Sequence, residues 1–561
     1  MKCYPLTYNP ILEYYQKIES GEEVVGDKVR KWYKKLTYDI EHPDVYFYST
    51  KRANHILEFA ENFCRHSKGK MGGQLVKLEL WEKAWLAATF GFIDGDGNRK
   101  YTLSVLIVAK KNGKSLLASI VGLYMLIADG EPGPEVYAVA TKKDQAKIIW
   151  QESKRMVKKS EALLKRIKPL INELSSEDYN CGIFKALASD SDTLDGLNVH
   201  CCLMDELHQW KNGRALYDIM ADGITGRDQP LILVTTTAGV IREDIYDEIY
   251  DDARKATNGL FDPVGYHDEH SLYIVYELDK REEWENPECW KKANPGLGTI
   301  KNYKTLEAKV KKAQANPSLI KNLVCKEFNI PETSSESWLT FEELNNEQTF
   351  NVKKLKPLYG IGGTDLSSTT DLTAAKVIFC VPNDNHIYVI SMYWIPEDLV
   401  EKKIKEDRIP YDKWIDQGWM RTGTGNKINP HCVTEWYREI QDELDIYLYK
   451  CGYDAWSSSM WVSDMTDEFG PSIMEAVHQG KKTLSDPMKN LKADFQKKLI
   501  VYNNNPVDKW CLANTAVEED KNGNIQPHKT SKSTRRIDGT AALLDAYTVF
   551  YNHAEEYLSL I

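Results

Sequence analysis

Gly113-Lys114-Ser115 ends the segment Val105-Leu-Ile-Val-Ala-Lys-Lys-Asn-Gly-Lys-Ser115, in which an apolar run passes through a short polar loop into a helical pattern. The amides of such a loop and the start of its helix can cradle phosphate oxygens. Lys114 would then reach the β and γ phosphates of ATP, and the Ser115 hydroxyl would bind Mg2+. The first glycine of the usual GxxxxGKS spacing falls at Val108, and a GKS triplet also arises by chance.

A second run, Cys201-Cys202-Leu203-Met204-Asp205-Glu206, ends in two carboxylates. This is a Walker B pattern, in which Asp205 holds Mg2+ through water and Glu206 polarises the attacking water as general base. The plain alternative is a buried strand with an acidic end. Leu231-Ile-Leu-Val-Thr235-Thr236-Thr237 is a third apolar run, ending in hydroxyls. Helicase-like motors use that position to couple the γ-phosphate state to movement, although an ordinary strand and turn would look the same.

The carboxyl half offers another chemistry. Asp365, Asp454 and Asp538 are far apart in sequence, and Asp371 follows Asp365 across a short Ser/Thr turn. Singly, each fits a turn or a cap. Brought together by a fold, they would repel unless cations neutralised them, so Mg2+ or Mn2+ is the natural occupant. Two ions about 4 Å apart could activate water and stabilise a leaving 3′ oxygen, as in metal-dependent nucleases. Asp545 lies on roughly the same helix face as Asp538 and could be an additional ligand, although a solvated helix residue is the plainer reading.

These groups need strand ends and helix starts to position them. Residues 63–330 alternate apolar strands (103–108, 135–140, 199–204, 231–235) with helical patterns (114–127, 142–160, 303–315). That order predicts an α/β domain with a parallel sheet covered on both faces. Residues 1–62 read as helices. The polar stretch Pro331-Glu332-Thr333-Ser334-Ser335-Glu336-Ser337 opens a linker, set at 331–355. From 356 to 561, three hairpin strands (358–365, 372–380, 387–394), a later strand at 447–454 and a closing helix at 537–551 follow the order of an RNase H-like domain.

Bulk properties set bounds. At 561 residues, two or three domains are expected. With 42% hydrophobic and 28% charged residues the chain reads as soluble and globular, and no apolar run reaches membrane-span length. No apolar core follows Met1-Lys2-Cys3-Tyr4-Pro5, so no secretory signal is expected. Eleven cysteines without a CxxC pair argue against a zinc ribbon or disulfide framework. The net charge of −11 leaves nucleic-acid binding to local basic clusters such as Lys481-Lys482 and Arg535-Arg536.

Together these residues resemble the large terminase subunit of tailed bacteriophages, in the branch similar to that of phage HK97. The likeness runs through Arg52-Ala53-Asn54-His55, Phe63 to Lys70, Leu80-Trp81-Glu82, Lys111-Asn112-Gly113-Lys114-Ser115 and Thr193 to Asn198. It continues through Asp205-Glu206-Leu207-His208, Gly363-Thr364-Asp365-Leu366-Ser367, Asn505-Pro506 with Trp510 and Asn514, and Ile537-Asp538-Gly539. The resemblance implies an N-terminal P-loop ATPase of the ASCE/RecA-like class that drives double-stranded viral DNA into a procapsid. It also implies a C-terminal RNase H-like endonuclease that cuts concatemeric DNA.

It further implies that Trp81, Glu82, Lys111, Asn112, Gly113, Lys114, Ser115 and Asp205 bind Mg2+-ATP, with Glu206 catalytic and Thr235, Thr236 and Thr237 coupling. Asp365, Asp454 and Asp538 would be catalytic metal ligands, and Asp371 an accessory one. The family usually carries Gln where Glu82 stands; a carboxylate can accept from an adenine amino group but cannot donate to the ring nitrogen. Arg214 and Arg227 lie where a charge-stabilising arginine could be sought. The implied partners are DNA, the portal protein, the small terminase subunit and copies of the chain in a ring on the portal, with a monomer in free solution and no membrane. The implied place is the host cytoplasm, transiently on the procapsid and not in the mature virion. The competing reading is a cellular ATP-dependent helicase or translocase with a fused nuclease, which should carry a second RecA-like domain.

Overall fold

The computed structural model describes residues 1–69, 71–178, 181–189, 194, 196–210, 213–239, 244–262, 265–316, 319–332, 337–366, 372–407, 409–455, 459–529 and 536–561. Asp371 lies outside the described residues, as do Lys70, Thr193, Asp195, 333–336, Ser367 and Arg535 of the motifs above. The chain forms two compact units, one of Met1–Val240 with Asp244–Pro331 and one built on Glu332–Ile561.

The first unit opens with α1 (Pro10–Glu19), α2 (Asp27–Glu41), α3 (Thr50–Phe63) and α4 (Leu80–Gly91), plus a ribbon of β1 (Phe47–Tyr48) and β2 (Phe92–Ile93). Next come β3 (Leu103–Ile107), α5 (Lys114–Ile127), β4 (Glu135–Ala140), α6 (Lys143–Lys159) and α7 (Glu161–Leu164). Then follow β5 (Ile167–Pro169), β6 (Glu173–Ser176), β7 (Gly182–Ala188), β8 (Cys201–Asp205), α8 (Gly213–Gly223) and β9 (Leu231–Thr236). The unit ends with α9 (Ile245–Gly259), β10 (Ser271–Val275), α10 (Tyr303–Ala315) and α11 (Ile320–Phe328).

The near-unbroken apolar runs of β3, β8 and β9 are buried almost throughout, as a sheet covered on both faces requires. The sheet order is β10-β3-β9-β8-β4-β7-β6-β5. The first six strands are parallel, and β6 and β5 add an antiparallel edge that the strand–helix pattern did not foretell. Counting β3, β4, β8, β9 and β10 as one to five, their order is 5-1-4-3-2, so β9 separates β3 from β8. The helices expected as a separate leader are part of this unit. Ile11, Tyr14, Val29, Trp32 and Leu57 share one core with β3 and β10, and the Trp32 indole donates to Thr257 Oγ1 at 2.9 Å.

The second unit begins with α12 (Phe341–Leu344) and α13 (Val352–Leu355). Trp338, Leu339 and Leu344 lie in its core, so much of the expected linker is structural. The polar residues just before them masked this apolar anchor. A meander of β11 (Tyr359–Asp365), β12 (Thr373–Phe379) and β13 (Ile387–Pro396) follows. The chain continues through α14 (Val400–Asp407), α15 (Tyr411–Asp416), β14 (Met420–Gly423), α16 (His431–Leu444), β15 (Tyr447–Asp454) and α17 (Ser459–Phe469). It closes with β16 (Met474–Val477), α18 (Lys481–Gln496), β17 (Ile500–Val501), α19 (Pro506–Asn514), the hairpin β18 (Thr515–Glu519) and β19 (Ile525–Lys529), and α20 (Asp538–Leu558).

The order β14-β13-β12-β11-β15-β16 sets β15 and β16 parallel to β11, beyond the antiparallel meander. This is the RNase H-like arrangement the element order led us to expect. Two glycines seat α20 on it. Gly363 of β11 and Gly452 of β15 are register partners. A Cβ on Gly363 would stand 2.2 Å from Ala542 O, and one on Gly452 would stand 2.4 Å from Asp545 O. Only the missing side chains let the helix backbone approach so closely.

Candidate functional site

Each unit carries one site. In the first, parallel pairing brings the strand exits together. Thr235 of β9 is the register partner of both Leu106 of β3 and Asp205 of β8. Ser115, in the first turn of α5, donates its hydroxyl to Asp205 Oδ2 at 2.7 Å, and Thr235 Oγ1 donates to Asp205 Oδ1 at 2.9 Å. The buried Lys114 ammonium donates to Val108 O at 3.1 Å and lies 3.7 Å from Glu206 Oε1. Burial lowers the Lys114 pKa, against the pull of Glu206 and Asp205. Burial raises that of Asp205, with Glu206 adding and Lys114 opposing.

The missing first glycine now has an explanation. Val108 stays on the ladder, its N–H donating to Thr236 O at 3.1 Å. The left-handed turns fall later, at Lys111 (φ 70°) and Gly113 (φ 88°). Glu206 is also left-handed (φ 50°), a sparsely populated conformation for a residue with a side chain. This turn at the end of β8 brings its carboxylate within 3.2 Å of His208 Nδ1. Thr237 Oγ1 is 3.2 Å from the same nitrogen, and the His208 N–H donates to Thr236 Oγ1 at 3.2 Å. All three threonines are buried here.

Three residues expected to bind nucleotide are buried among protein partners. The Asn112 side chain is fully buried and turned to the back of the loop, donating to Ala109 O at 2.9 Å and Asn294 Oδ1 at 3.2 Å. Its Oδ1 accepts the Gly296 N–H at 3.2 Å. Trp81 is a core residue, edge-on to Tyr276. Glu82 is buried in the first turn of α4, where Oε2 accepts the Glu79 N–H at 2.8 Å. Its Oε1 lies 3.3 Å from where a Gly113 Cβ would stand. Burial pushes the Glu82 pKa up to about 8. At neutral pH it is therefore an acid with one donor and spare acceptor capacity, which narrows its difference from an amide. Arg227 pairs with Glu131 at 2.9 Å and with backbone carbonyls ahead of β4 and β8, at the strand starts, whereas Lys114 follows a strand end. Arg214 pairs with Asp218 and Glu248.

In the second unit Asp365 ends β11, Asp454 ends its parallel neighbour β15, and Asp538 starts α20 on the glycine seat. Exclusion of water, then Asp538 and Asp454, push Asp365 well above the usual carboxylate range, while Lys529 opposes them. Burial likewise raises Asp538, with Lys529 countering. The carboxylates thus share one electrostatic site. Among the described residues, however, no three His, Cys, Asp or Glu side chains close on a common metal position. Their chemistry still fits a cation, because Oδ2 of Asp538 is buried without a hydrogen-bond partner. Arg536, paired with Asp407 at 3.1 Å, anchors the chain just ahead of α20.

Some residues escaped sequence reasoning. Asp545, read as solvated, is buried at 1% exposure. Burial, then Asp365, raises its pKa, and Gln479 donates to its Oδ1 at 2.9 Å. Its surroundings, Ala541-Ala542-Leu543-Leu544 and Ala546, offered the signal, since an apolar helix has no wet face. Lys529 at the hairpin end carried none, because only tertiary folding sets it beside Asp365.

Two family models match the chain. The terminase large subunit ATPase domain matches residues 80–255, and the terminase large subunit endonuclease domain matches residues 266–554. The chain is 28% identical over 506 residues to the terminase large subunit of Enterobacteria phage HK97, covering 88% of this chain and 94% of the relative. It is 22% identical over 550 residues to that of Lactococcus phage p2, covering 95% and 97%. The crystal structure of the HK97 large terminase aligns at a TM-score of 0.47 and 25% identity, over 89% of this chain and 99% of that one. The family is that of an ATPase and a DNA endonuclease, which sets aside the helicase alternative. With an endonuclease match that alone spans more than half of its residues, this chain belongs to the terminase large subunit family.

Proposed function

We propose that the first site hydrolyses Mg2+-ATP to drive double-stranded DNA into a procapsid, and that the second cuts the DNA with Mg2+ or Mn2+. The Ser115–Asp205 hydrogen bond carries the first part, because it joins a phosphate-loop hydroxyl to a strand-end carboxylate. Bound there, Mg2+ would neutralise charge on the phosphate oxygens. Lys114, released from Val108 O, holds the β and γ phosphates, and loop amides orient them. Glu206 accepts the proton of the attacking water. Thr235, fixed on Asp205, and Thr236 and Thr237, fixed on His208, relay the state of the site to β9.

In the second site Asp365, Asp454 and Asp538 would hold the cations, with Asp371 as an accessory. Such ions would activate water and stabilise the departing 3′ oxygen. Lys529 offers positive charge beside Asp365, where a DNA phosphate must approach. The chain works as a ring on the portal with the small subunit, in the host cytoplasm. Support comes from the family membership, and no helix among the described residues is long and apolar enough to cross a membrane. Contacts to DNA run mainly to phosphates, so binding weakens steeply with salt. Purified protein should nick plasmid with Mn2+, and Asp365→Ala should abolish nicking while ATP turnover persists. Nicking that survives in Asp365→Ala would remove the assignment.

A further inference from the structure

Asn329 is fully buried and left-handed (φ 57°), one residue beyond α11. Its Nδ2 donates to Tyr276 O at 2.7 Å, and its Oδ1 accepts the Ala238 N–H at 3.0 Å. Tyr276 follows β10 and Ala238 follows β9, the two sheet neighbours of β3. One side-chain amide therefore spans the strand that feeds the phosphate loop. The Ala238 carbonyl is held as well, by Cys325 Sγ of α11 at 3.5 Å.

The residues around Ala238 give this grip a consequence. Thr237 Oγ1 lies 3.2 Å from His208 Nδ1 and 3.5 Å from Glu206 Oε2. Gly239 abuts His208, where an added Cβ would stand 2.7 Å from the histidine Cβ. The backbone position at Ala238 thus sets both neighbours of the Glu206 carboxylate. The same helix braces the phosphate loop, since the Lys110 N–H donates to Lys326 O at 3.3 Å.

We propose that Asn329 is a positioning residue for ATP hydrolysis, holding Thr237 and His208 against Glu206 through its bond to the Ala238 N–H. The proposal rests on the reading of Glu206 as the base. Hydrolysis requires the carboxylate to be aimed at one water, so a loosened neighbour should slow turnover without weakening nucleotide binding.

Two variants of the full chain separate this role from a purely structural one. Asn329→Gly keeps the left-handed backbone and removes both bonds, whereas Asn329→Asp keeps the acceptor for Ala238 and loses the donor to Tyr276. For Asn329→Gly we expect kcat to fall about tenfold with KM for ATP within about twofold. For Asn329→Asp we expect kcat within about threefold of wild type, even where its melting temperature drops further. Wild-type kcat in the glycine variant overturns the proposal, as does a proportionate rise in KM or an aspartate variant as slow as the glycine one. Failure of both variants to fold marks a structural residue and overturns it too. If only one folds, its own kcat expectation decides. Glu206→Gln serves as the control: full turnover there would sink the base assignment itself, independently of Asn329.

Discussion

The Ser115 hydroxyl donates to Asp205 Oδ2 at 2.7 Å, tying the first turn of α5 to the last residue of β8. The two groups come from different strand–helix units, and only the parallel sheet makes them neighbours. Ser115→Ala removes a hydrogen bond to a charged acceptor and one oxygen for the cation. Such bonds are worth about 1.5–3 kcal/mol. We expect affinity for Mg2+-ATP to fall at least about tenfold, while affinity for metal-free ATP changes little. Titration of a fluorescent ATP analogue with and without Mg2+ checks this, and an equal loss in both conditions counts against it.

Lys114→Ala and Glu206→Gln should fail differently. The first removes a phosphate ligand, so nucleotide binding and turnover are both lost. The second keeps binding but removes the proton acceptor, lowering kcat by about a hundredfold or more. Plasmid nicking should survive in both. Binding and turnover measured on the same preparations distinguish the two, and equal binding defects would contradict the assigned roles.

Glu82 predicts a pH dependence. Its folded pKa of about 8 lies above its usual 4.5 because burial disfavours the charged form. Between those values the unfolded chain has released the proton and the folded chain has kept it. Stability therefore falls as pH rises, by about 1.4 kcal/mol per pH unit at most, until the folded group ionises near pH 8. Glu82→Gln should flatten that slope and raise the melting temperature at pH 7 to 8. Identical melting profiles across pH 5 to 9 would rule out a buried, protonated Glu82.

The seat of α20 is equally testable. Gly452→Ala would drive a methyl to 2.4 Å from Asp545 O, and backbone cannot move as a flexible side chain can. Overpacking typically costs about 1–3 kcal/mol, and a clash with backbone lies at the upper end of that range. We expect nicking to be lost and the second unit to denature at lower urea, with ATP turnover retained. Intact nicking in Gly452→Ala would mean that α20 need not lie so close to β15.

The sequence by itself determined the two chemistries and their order. Lys114, Ser115, Asp205 and Glu206 stand at the ends of apolar runs, and such runs form buried parallel strands. Local spacing was enough to place β4, α5, α10 and β15 at their observed bounds. It could not assign burial to side chains whose surroundings come from elsewhere in the chain. Asn112 and Trp81 read as ligand-facing, yet they turn inward, because the segment at Asn294–Gly296 and Tyr276 receive them. Asp545 read as wet until α20 was pressed onto Gly363 and Gly452. The sequence marked Val108 as a defect in the loop, and the structure made it ordinary, since Lys111 and Gly113 take the left-handed turns. Pattern is a local property of the chain, whereas the dielectric and the partners around a charge are set by which distant strands pair. Only the tertiary structure could decide those.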